Sequence, residues 1–349
     1  MKTRLLCPLA ALLLSLSITQ TIRAWDYEGH RTVNQLALAS LPESFPDFVR
    51  TPEAKERIAF LAGEPDRWRN SPDLPLRHHN GPDHYFDMED LIALKLESSQ
   101  VSHFRYEFVS QLAVARAANP SAFPAVDAAK DQDKVKVYPG FLPWAITEQY
   151  AKLKSGFSYL KVFEELGTPE EISNAKANII YIMGTMGHFI GDATQPLHTT
   201  RHYNGWIGDN PKGYTTKPTF HSWIDGGFLA KAGGLKLEEL QKKLRPAKML
   251  WPGDPKAKHD SVFPEAMAFV AEQHKLMEPL YQMDKDGQLA SEGAAALPGK
   301  PFLEGQIVKA GQMLGDLWYS AWQQATPDVF LKTSLKRREL EQAGNAKSK

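Results

Sequence analysis

The stretch from Thr168 to Pro196 restricts the fold more than any other. Thr168-Pro169-Glu170-Glu171 sets a threonine N-cap, a proline at the first helical position and acids in the first turn, which is how helices start. From Pro169 the apolar pattern passes through Ile179, Ile180, Ile182 and Met186 to about Thr194, where Pro196 stops it. Gly184, Gly187 and Gly191 recur along this helix at i, i+3 and i+7. Each costs about 1 kcal/mol against alanine, so three imply that a neighbouring helix or a bound ion comes very close.

Thr51-Pro52-Glu53 is a helix start of the same kind, and a further apolar helix is predicted from Pro301 to Gln324 with Ile307, Leu314, Trp318 and Trp322 in the core. Strand alternation is nearly absent. The expected fold is all-α: one mainly helical domain over residues 25–330, with no internal repeat and no break in composition. The charged tail, 331–349, is expected to be disordered. The Ala-, Asp- and Lys-rich stretch 113–137 reads as an insertion or long loop, placed to act as a lid.

Residues 1–24 have the three-part layout of a secretory signal: Lys2 and Arg4, an apolar run from Leu5 to Ile18, and a polar end at Arg23-Ala24. Cleavage there would make Trp25 the new terminus and give a secreted or periplasmic protein. Its only cysteine, Cys7, would leave with the signal. The remaining chain has no thiol and no Asn-x-Ser/Thr acceptor, so it must be held by its core, and 325 residues suffice for one. Losing Lys2, Arg4 and Arg23 leaves 38 basic against 41 acidic residues, a net charge of about −3. Such a balance excludes polybasic nucleic-acid binding. Any affinity for phosphate must come from a local site.

Histidines and aspartates mark that site. His188 and Asp192 lie four apart on one face of the central helix and can hold a metal together. His198 follows just after Gln195-Pro196-Leu197, and Phe220-His221-Ser222-Trp223-Ile224-Asp225 repeats the spacing. Upstream stand His30, five residues after Trp25, Asp66 in Asp66-Arg67-Trp68-Arg69, and His84 in Asp83-His84-Tyr85-Phe86-Asp87. A single His-x3-Asp pair is more often a surface hydrogen-bonded couple than a metal site. Two pairs, a histidine between them and a cleavage point exposing Trp25 change that balance. Nitrogen and carboxylate donors without thiolate suit zinc in a catalytic site.

The ordered set Trp25, His30, Asp66, His84, His188, Asp192, His198, His221 and Asp225 resembles the tri-zinc signature of the single-strand-specific nucleases of the S-one/P-one type. That family shares a superfamily with bacterial zinc-dependent phospholipase C. The resemblance extends over most of the chain after residue 24, including Ala310-Gly311-x-x-Leu314 in the last apolar helix. It implies that Asp66, His84, His188 and Asp192 hold one zinc, and His198, His221 and Asp225 a second. A third would take the amino nitrogen and carbonyl of Trp25, His30 and the other oxygen of Asp192. Two metals sharing a carboxylate can share a water and lower its pKa until hydroxide forms near neutral pH. That hydroxide would cleave single-stranded DNA or RNA to 5′-phosphorylated products. Arg69 matches an arginine that steadies the phosphate, or else pairs with Asp66 or Asp73. Tyr85 matches an aromatic that stacks a base, or else is core, and Asp87 would accept hydrogen bonds from a base edge.

Short Trp25 to His30 spacing and aspartate at 225 favour the nuclease over a phospholipase C acting on phosphatidylcholine-type lipids. A zinc-binding protein without turnover is a third reading. Gly226 departs from the family pattern, where base-reading nucleases carry asparagine, and the interval from His84 to His188 is longer than in that pattern. The loop His202-Tyr203-Asn204-Gly205-Trp206 either meets substrate or packs over the second zinc site. Nothing suggests an obligate protein partner, and the expected state is a monomer.

Overall fold

A computed structural model describes residues 25–123, 125–250 and 261–347, with side chains to 345. The signal segment 1–24 and Cys7 lie outside these residues. Among the described residues the fold is all-α, and β structure is confined to two isolated bridges, Phe86 with Gly140 and Tyr203 with Gly205. No helix among them is long and apolar enough to cross a membrane.

Four long helices carry the core: the first (Tyr27–Ser40), a long partner (Leu142–Leu166), the central helix (Pro169–Thr194) and the closing helix (Gly299–Gln324). The central helix starts and stops where its sequence predicts. Thr168 Oγ1 accepts from Glu171 N while Glu171 Oε2 accepts from Thr168 N at 2.8 Å, a complete capping box. The helix Pro52–Leu61 is capped by Thr51 alone, whose Oγ1 accepts from Ala54 N at 3.2 Å. Ile307, Leu314 and Trp318 of the closing helix are fully buried, and Trp322 packs against the same core partly exposed.

Packing explains the glycine stripe. A Cβ on Gly184 would stand 2.4 Å from Leu61, one on Gly187 1.6 Å from Asn34 Oδ1, and one on Gly191 2.6 Å from His30 Nδ1. The first helix and the helix Pro52–Leu61 therefore lie against the bare side of the central helix. Asn34 locks the contact, its amide donating to Ile58 O at 2.7 Å and to Gly184 O at 2.9 Å from a fully buried position. Both donor hydrogens are used where no water reaches, so the register of three helices is set by one side chain.

Two expectations are corrected. The tail from 331, expected to be disordered, is part of a helix, Val329–Lys347. Leu335 is buried, Lys332 pairs with Glu165 at 2.6 Å, and Arg338 grips Glu171 at 2.7 Å and Leu166 O at 3.2 Å. The charges that look solvating in sequence have partners at the turn between the two long central helices. The stretch 113–137 is not one long loop either. Its alanine-rich start completes a helix, Arg105–Ala118, as its propensity favours. Most of the remainder is irregular but anchored: Asp131 accepts from Val135 N and Lys136 N, and Asp133 pairs with Arg77 at 3.1 Å and accepts from His78 Nδ1 at 2.7 Å.

Gly187→Ala is expected to cost about 2 to 4 kcal/mol, because the added methyl evicts Asn34 and takes its buried amide away from the Ile58 and Gly184 carbonyls. Denaturant unfolding measures it; a loss under about 0.5 kcal/mol, the range of inert surface substitutions, would show that the helices do not meet there.

Candidate metal centre

Seven helical elements deliver the predicted ligand side chains. His30 comes from the first helix, Asp66 and Arg69 from the short helix Glu64–Arg69, and His84 from the 3-10 turn Gly81–His84. His188 and Asp192 lie on the last turns of the central helix, and His198 on the 3-10 turn Pro196–Thr199 that follows its break. His221 ends in a short α turn, and Asp225 sits in the π-helical turn Trp223–Gly227 after it. Such turns recur at functional sites.

These side chains form three buried groups whose ligand atoms lie within 4.8 Å of one another: His30, His188 and Asp192; Asp66, His84 and His188; and His198, His221 and Asp225. Each of the three could hold a metal ion. Asp192 is fully buried at the junction. Its Oδ2 lies 2.9 Å from His84 Nδ1 and 3.3 Å from His188 Nε2, while Oδ1 faces His30 Nε2 at 3.5 Å and His198 Nδ1 at 3.9 Å. His30 and His188 stack with centroids 3.9 Å apart.

Backbone carbonyls decide which nitrogen of each ring carries the proton. His188 Nδ1 lies 2.7 Å from Ala62 O and His198 Nδ1 2.5 Å from His84 O. A carbonyl can only accept, so both Nδ1 atoms donate and both Nε2 atoms keep a lone pair for a neutral ring. The lone pair of His188 then points toward His84 Nδ1 at 2.9 Å and Asp66 Oδ1 at 3.8 Å; that of His198 points to His221 Nε2 at 3.0 Å. His221 Nε2 is also 3.1 Å from Asp225 Oδ2. Acceptors converging without water repel one another unless protons or a cation lie between them. The donor set, all imidazole and carboxylate, fits a divalent cation of the zinc type.

Protonation points the same way. Burial, with His188 beside it, brings His30 down to about 3. Burial, reinforced by the Arg69 charge, brings His84 to about 4 and His221 to about 3. These rings are neutral at pH 7 and their lone pairs are available. Burial acts against the Asp192 anion and against a charged His188 alike, yet Asp192 and Asp66 raise His188, and His188 and His198 hold the Asp192 carboxyl well below the usual range; a cation would take the place of the His188 proton. At Asp225 burial outweighs the His198 charge and the Gln195 hydrogen bond and pushes the carboxyl well up. A cation is the charge that would reverse this.

Arg69 Nε pairs with Asp66 Oδ1 at 2.7 Å, the partner anticipated as an alternative, and both side chains are largely covered. Its charge acts on His84, His188, His198 and His221, ligand candidates of both halves of the centre. Tyr85 and Asp87 are half-buried at the rim, and burial, with Glu89 and Asp90 nearby, pushes the Asp87 carboxyl well up. Trp25 is fully buried, its indole donating to Gly191 O at 2.9 Å, and the next residue's N–H donates to Asp225 O at 3.2 Å. The chain at Trp25 thus runs between the central helix and the π turn.

Sequence reasoning passed over Gln195, which it read only as part of a helix break. Its amide donates to Asp225 Oδ1 at 2.6 Å and its carbonyl oxygen accepts from Leu197 N at 3.0 Å. One Asp225 oxygen is thereby tied back and the other left to the group. The loop 202–206 divides its work. His202 and Trp206 stack at 4.1 Å and 11°, with Trp206 edge-on to Tyr281, and this half is structural. Tyr203 stays 46% exposed with its ring 5.9 Å from that of His221. A groove of about 820 Å³ between the long partner helix and the central helix lies apart from the centre. Its one lining carboxylate, Glu171, is already committed to Thr168 and Arg338.

Comparison with protein-family models and with curated proteins finds no match to this chain.

Gln195→Leu should weaken zinc binding at the His198, His221 and Asp225 group by about 10- to 100-fold while the other sites keep theirs. Competitive zinc titration reads this, and unchanged affinity at every site would remove Gln195 from the centre.

Proposed function

We propose that this chain, exported and cleaved ahead of Trp25, is a zinc-dependent phosphodiesterase of the single-strand-specific nuclease type, acting on single-stranded DNA and RNA. The shared carboxylate carries this reading. One oxygen of Asp192 faces His84 and His188 and the other faces His30, which suits two ions side by side rather than a closed structural site. Asp66, His84, His188 and Asp192 would hold one zinc, His198, His221 and Asp225 a second, and His30, Asp192 and the Trp25 backbone a third.

When bound, zinc supplies a lowered water pKa and positive charge for a departing oxygen. The chain's own groups do the rest. Asp192 and Asp66 bring negative charge that lets several cations gather in a dry site. The carbonyls of Ala62 and His84 fix two imidazoles in the tautomer that presents Nε2 inward, which removes reorganisation at the moment of reaction. Arg69, its charge shared with Asp66, offers donors to a phosphate oxygen. Tyr85 offers a ring to a base, and Asp87, held toward its protonated form, can donate to a base edge as well as accept.

The test uses protein with an authentic Trp25 terminus, assayed on single-stranded DNA, RNA and phosphatidylcholine, with zinc determined on the same sample. The expected result is about three zincs and 5′-phosphorylated nucleotides, abolished by a chelator and restored by zinc. Asp192→Ala should lower kcat on the order of 10³-fold and lose more zinc than His30→Ala, because it removes a ligand from two ions. Lipid cleavage alone would transfer the chain to the phospholipase reading. Full zinc without any hydrolysis would leave a binding protein.

A further inference from the structure

Gly226, the departure from the nuclease pattern, is explained by what lies against it. A Cβ there would stand 2.6 Å from Asp26 Oδ2 and 3.0 Å from Asp26 Cβ and Cγ. Asp26 lies outside the ligand set and outside the residues that the family resemblance supplies, yet it is bonded to two ligands. Its N–H donates to Asp225 O at 3.2 Å, and its own carbonyl accepts from His30 N at 3.2 Å. Asp225 belongs to one ion group and His30 to another. One residue thereby ties together the main chains of two ligands that are far apart in the sequence.

The side chain adds a third tie. Asp26 is the N-cap of the first helix, and its Oδ1 accepts from Gly29 N at 2.9 Å. The carboxylate is therefore wedged between the turn that carries His30 and the π-helical turn Trp223–Gly227 that carries Asp225. A residue bonded to both cannot move toward one without pulling on the other. Its neighbours are seated in the same way. The Trp25 indole donates to Gly191 O at 2.9 Å, between His188 and Asp192 on the central helix. A Cβ on Gly63, just ahead of the helix that carries Asp66 and Arg69, would meet the Tyr27 ring at 2.7 Å. Arg31 steadies that ring, donating to the Tyr27 hydroxyl at 3.4 Å while it grips Glu56 at 3.0 Å. Three consecutive residues thus meet three ligand-bearing elements, with Asp26 at the middle.

We propose that Asp26 is a positioning residue that couples the His30 ion group to the Asp225 ion group, so that displacing it from Gly226 weakens metal binding at both. The inference rests on the metal-binding part of the reading above and not on its choice of substrate. Asp26 acts here by place rather than by charge: one carboxylate oxygen is committed to Gly29 N and the other lies against Gly226. A ligand misplaced by a fraction of an ångström loses affinity even when its own chemistry is intact.

The experiment titrates zinc competitively into protein that begins at Trp25. The ion lost in His30→Ala marks one group, and the ion lost in His221→Ala marks the other. Gly226→Ala, whose methyl pushes Asp26 aside, should weaken the His30 ion about 10- to 100-fold, although residue 226 lies on the other group's turn. Asp26→Asn, which keeps the volume and an acceptor for Gly29 N, should leave both ions within about twofold of wild type. Asp26→Gly frees the space, so adding Gly226→Ala to it should change either ion by less than about twofold. If Gly226→Ala fails to fold, Asp26→Gly alone serves, because an N-cap accepts glycine, and the His221 ion should weaken about 10-fold. Wild-type affinity at the His30 ion in folded Gly226→Ala overturns the coupling, as does wild-type affinity at the His221 ion in Asp26→Gly. A full loss from Gly226→Ala in the Asp26→Gly background overturns it too, and equal losses in Asp26→Asn and Asp26→Gly overturn the positioning role in favour of charge. Wild-type protein that binds no zinc overturns the metal reading itself, and the coupling with it. Hydrolysis plays no part in the readout, so failure of the nuclease reading and failure of the coupling are told apart.

Discussion

The fully buried carboxylate of Asp192 is the point around which this molecule is arranged. An isolated carboxylate at zero exposure costs several kcal/mol to bury, and it persists only when opposite charge or donors surround it. Four imidazoles do so here, drawn from the first helix, the turn at His84, the same central helix and the turn after it. Every one must be brought within about 4 Å, and the helices that carry them must therefore pack closer than ordinary side chains permit. Gly191 makes room for His30 and Gly187 makes room for Asn34. The glycine stripe that is costly to helix stability is what lets the first helix approach the carboxylate.

Much of this was legible because it is local. Caps, prolines and apolar period mark both ends of the central helix, and the capping box at Thr168 needs only four consecutive residues. The His-x3-Asp spacing places two ligands on one face by helix geometry alone. The glycine stripe implied a close neighbour, although not which one. What escaped depends on partners distant in sequence. The tail after 331 looks like a solvated charge run until Glu165 and Glu171 are seen across from Lys332 and Arg338. Gln195 gains meaning only when Asp225 folds back beside it. The loop 202–206 divides into a packed and an exposed half only once His202 stacks on Trp206 and Tyr203 is left outside.

Histidine tautomers show how the surrounding protein commits the centre to one chemistry. A neutral imidazole can present either nitrogen, and a free ring exchanges them. Here two main-chain carbonyls, at Ala62 and His84, take the Nδ1 protons of His188 and His198. These carbonyls belong to the segment preceding Asp66 and to the His84 turn, so ligand segments orient one another's side chains. Misplacing one turn would disorient a ligand on another. This mutual dependence explains why seven elements, several only a turn long, can form a precise site.

Whether such a centre exists for stability or for chemistry can be argued from what else holds the fold. Small metal-stabilised domains lack a core of their own and fold when the ion binds. This chain has an extensive apolar core, with Trp144, Trp318, Phe157 and Ile307 essentially inaccessible to water, and its first and closing helices also meet where no histidine takes part, Gly311 against Leu36 and Gly315 against Ser40. Asn34 fixes the register of the first helix on the central helix and on Pro52–Leu61 through two carbonyl bonds without any ligand residue taking part. A core able to stand alone can tolerate a cluster of buried acceptors whose mutual repulsion it must overcome until an ion arrives. A merely stabilising site would be served by one closed group of four ligands, and three adjoining groups that share Asp192 and His188 are more than stabilisation alone requires.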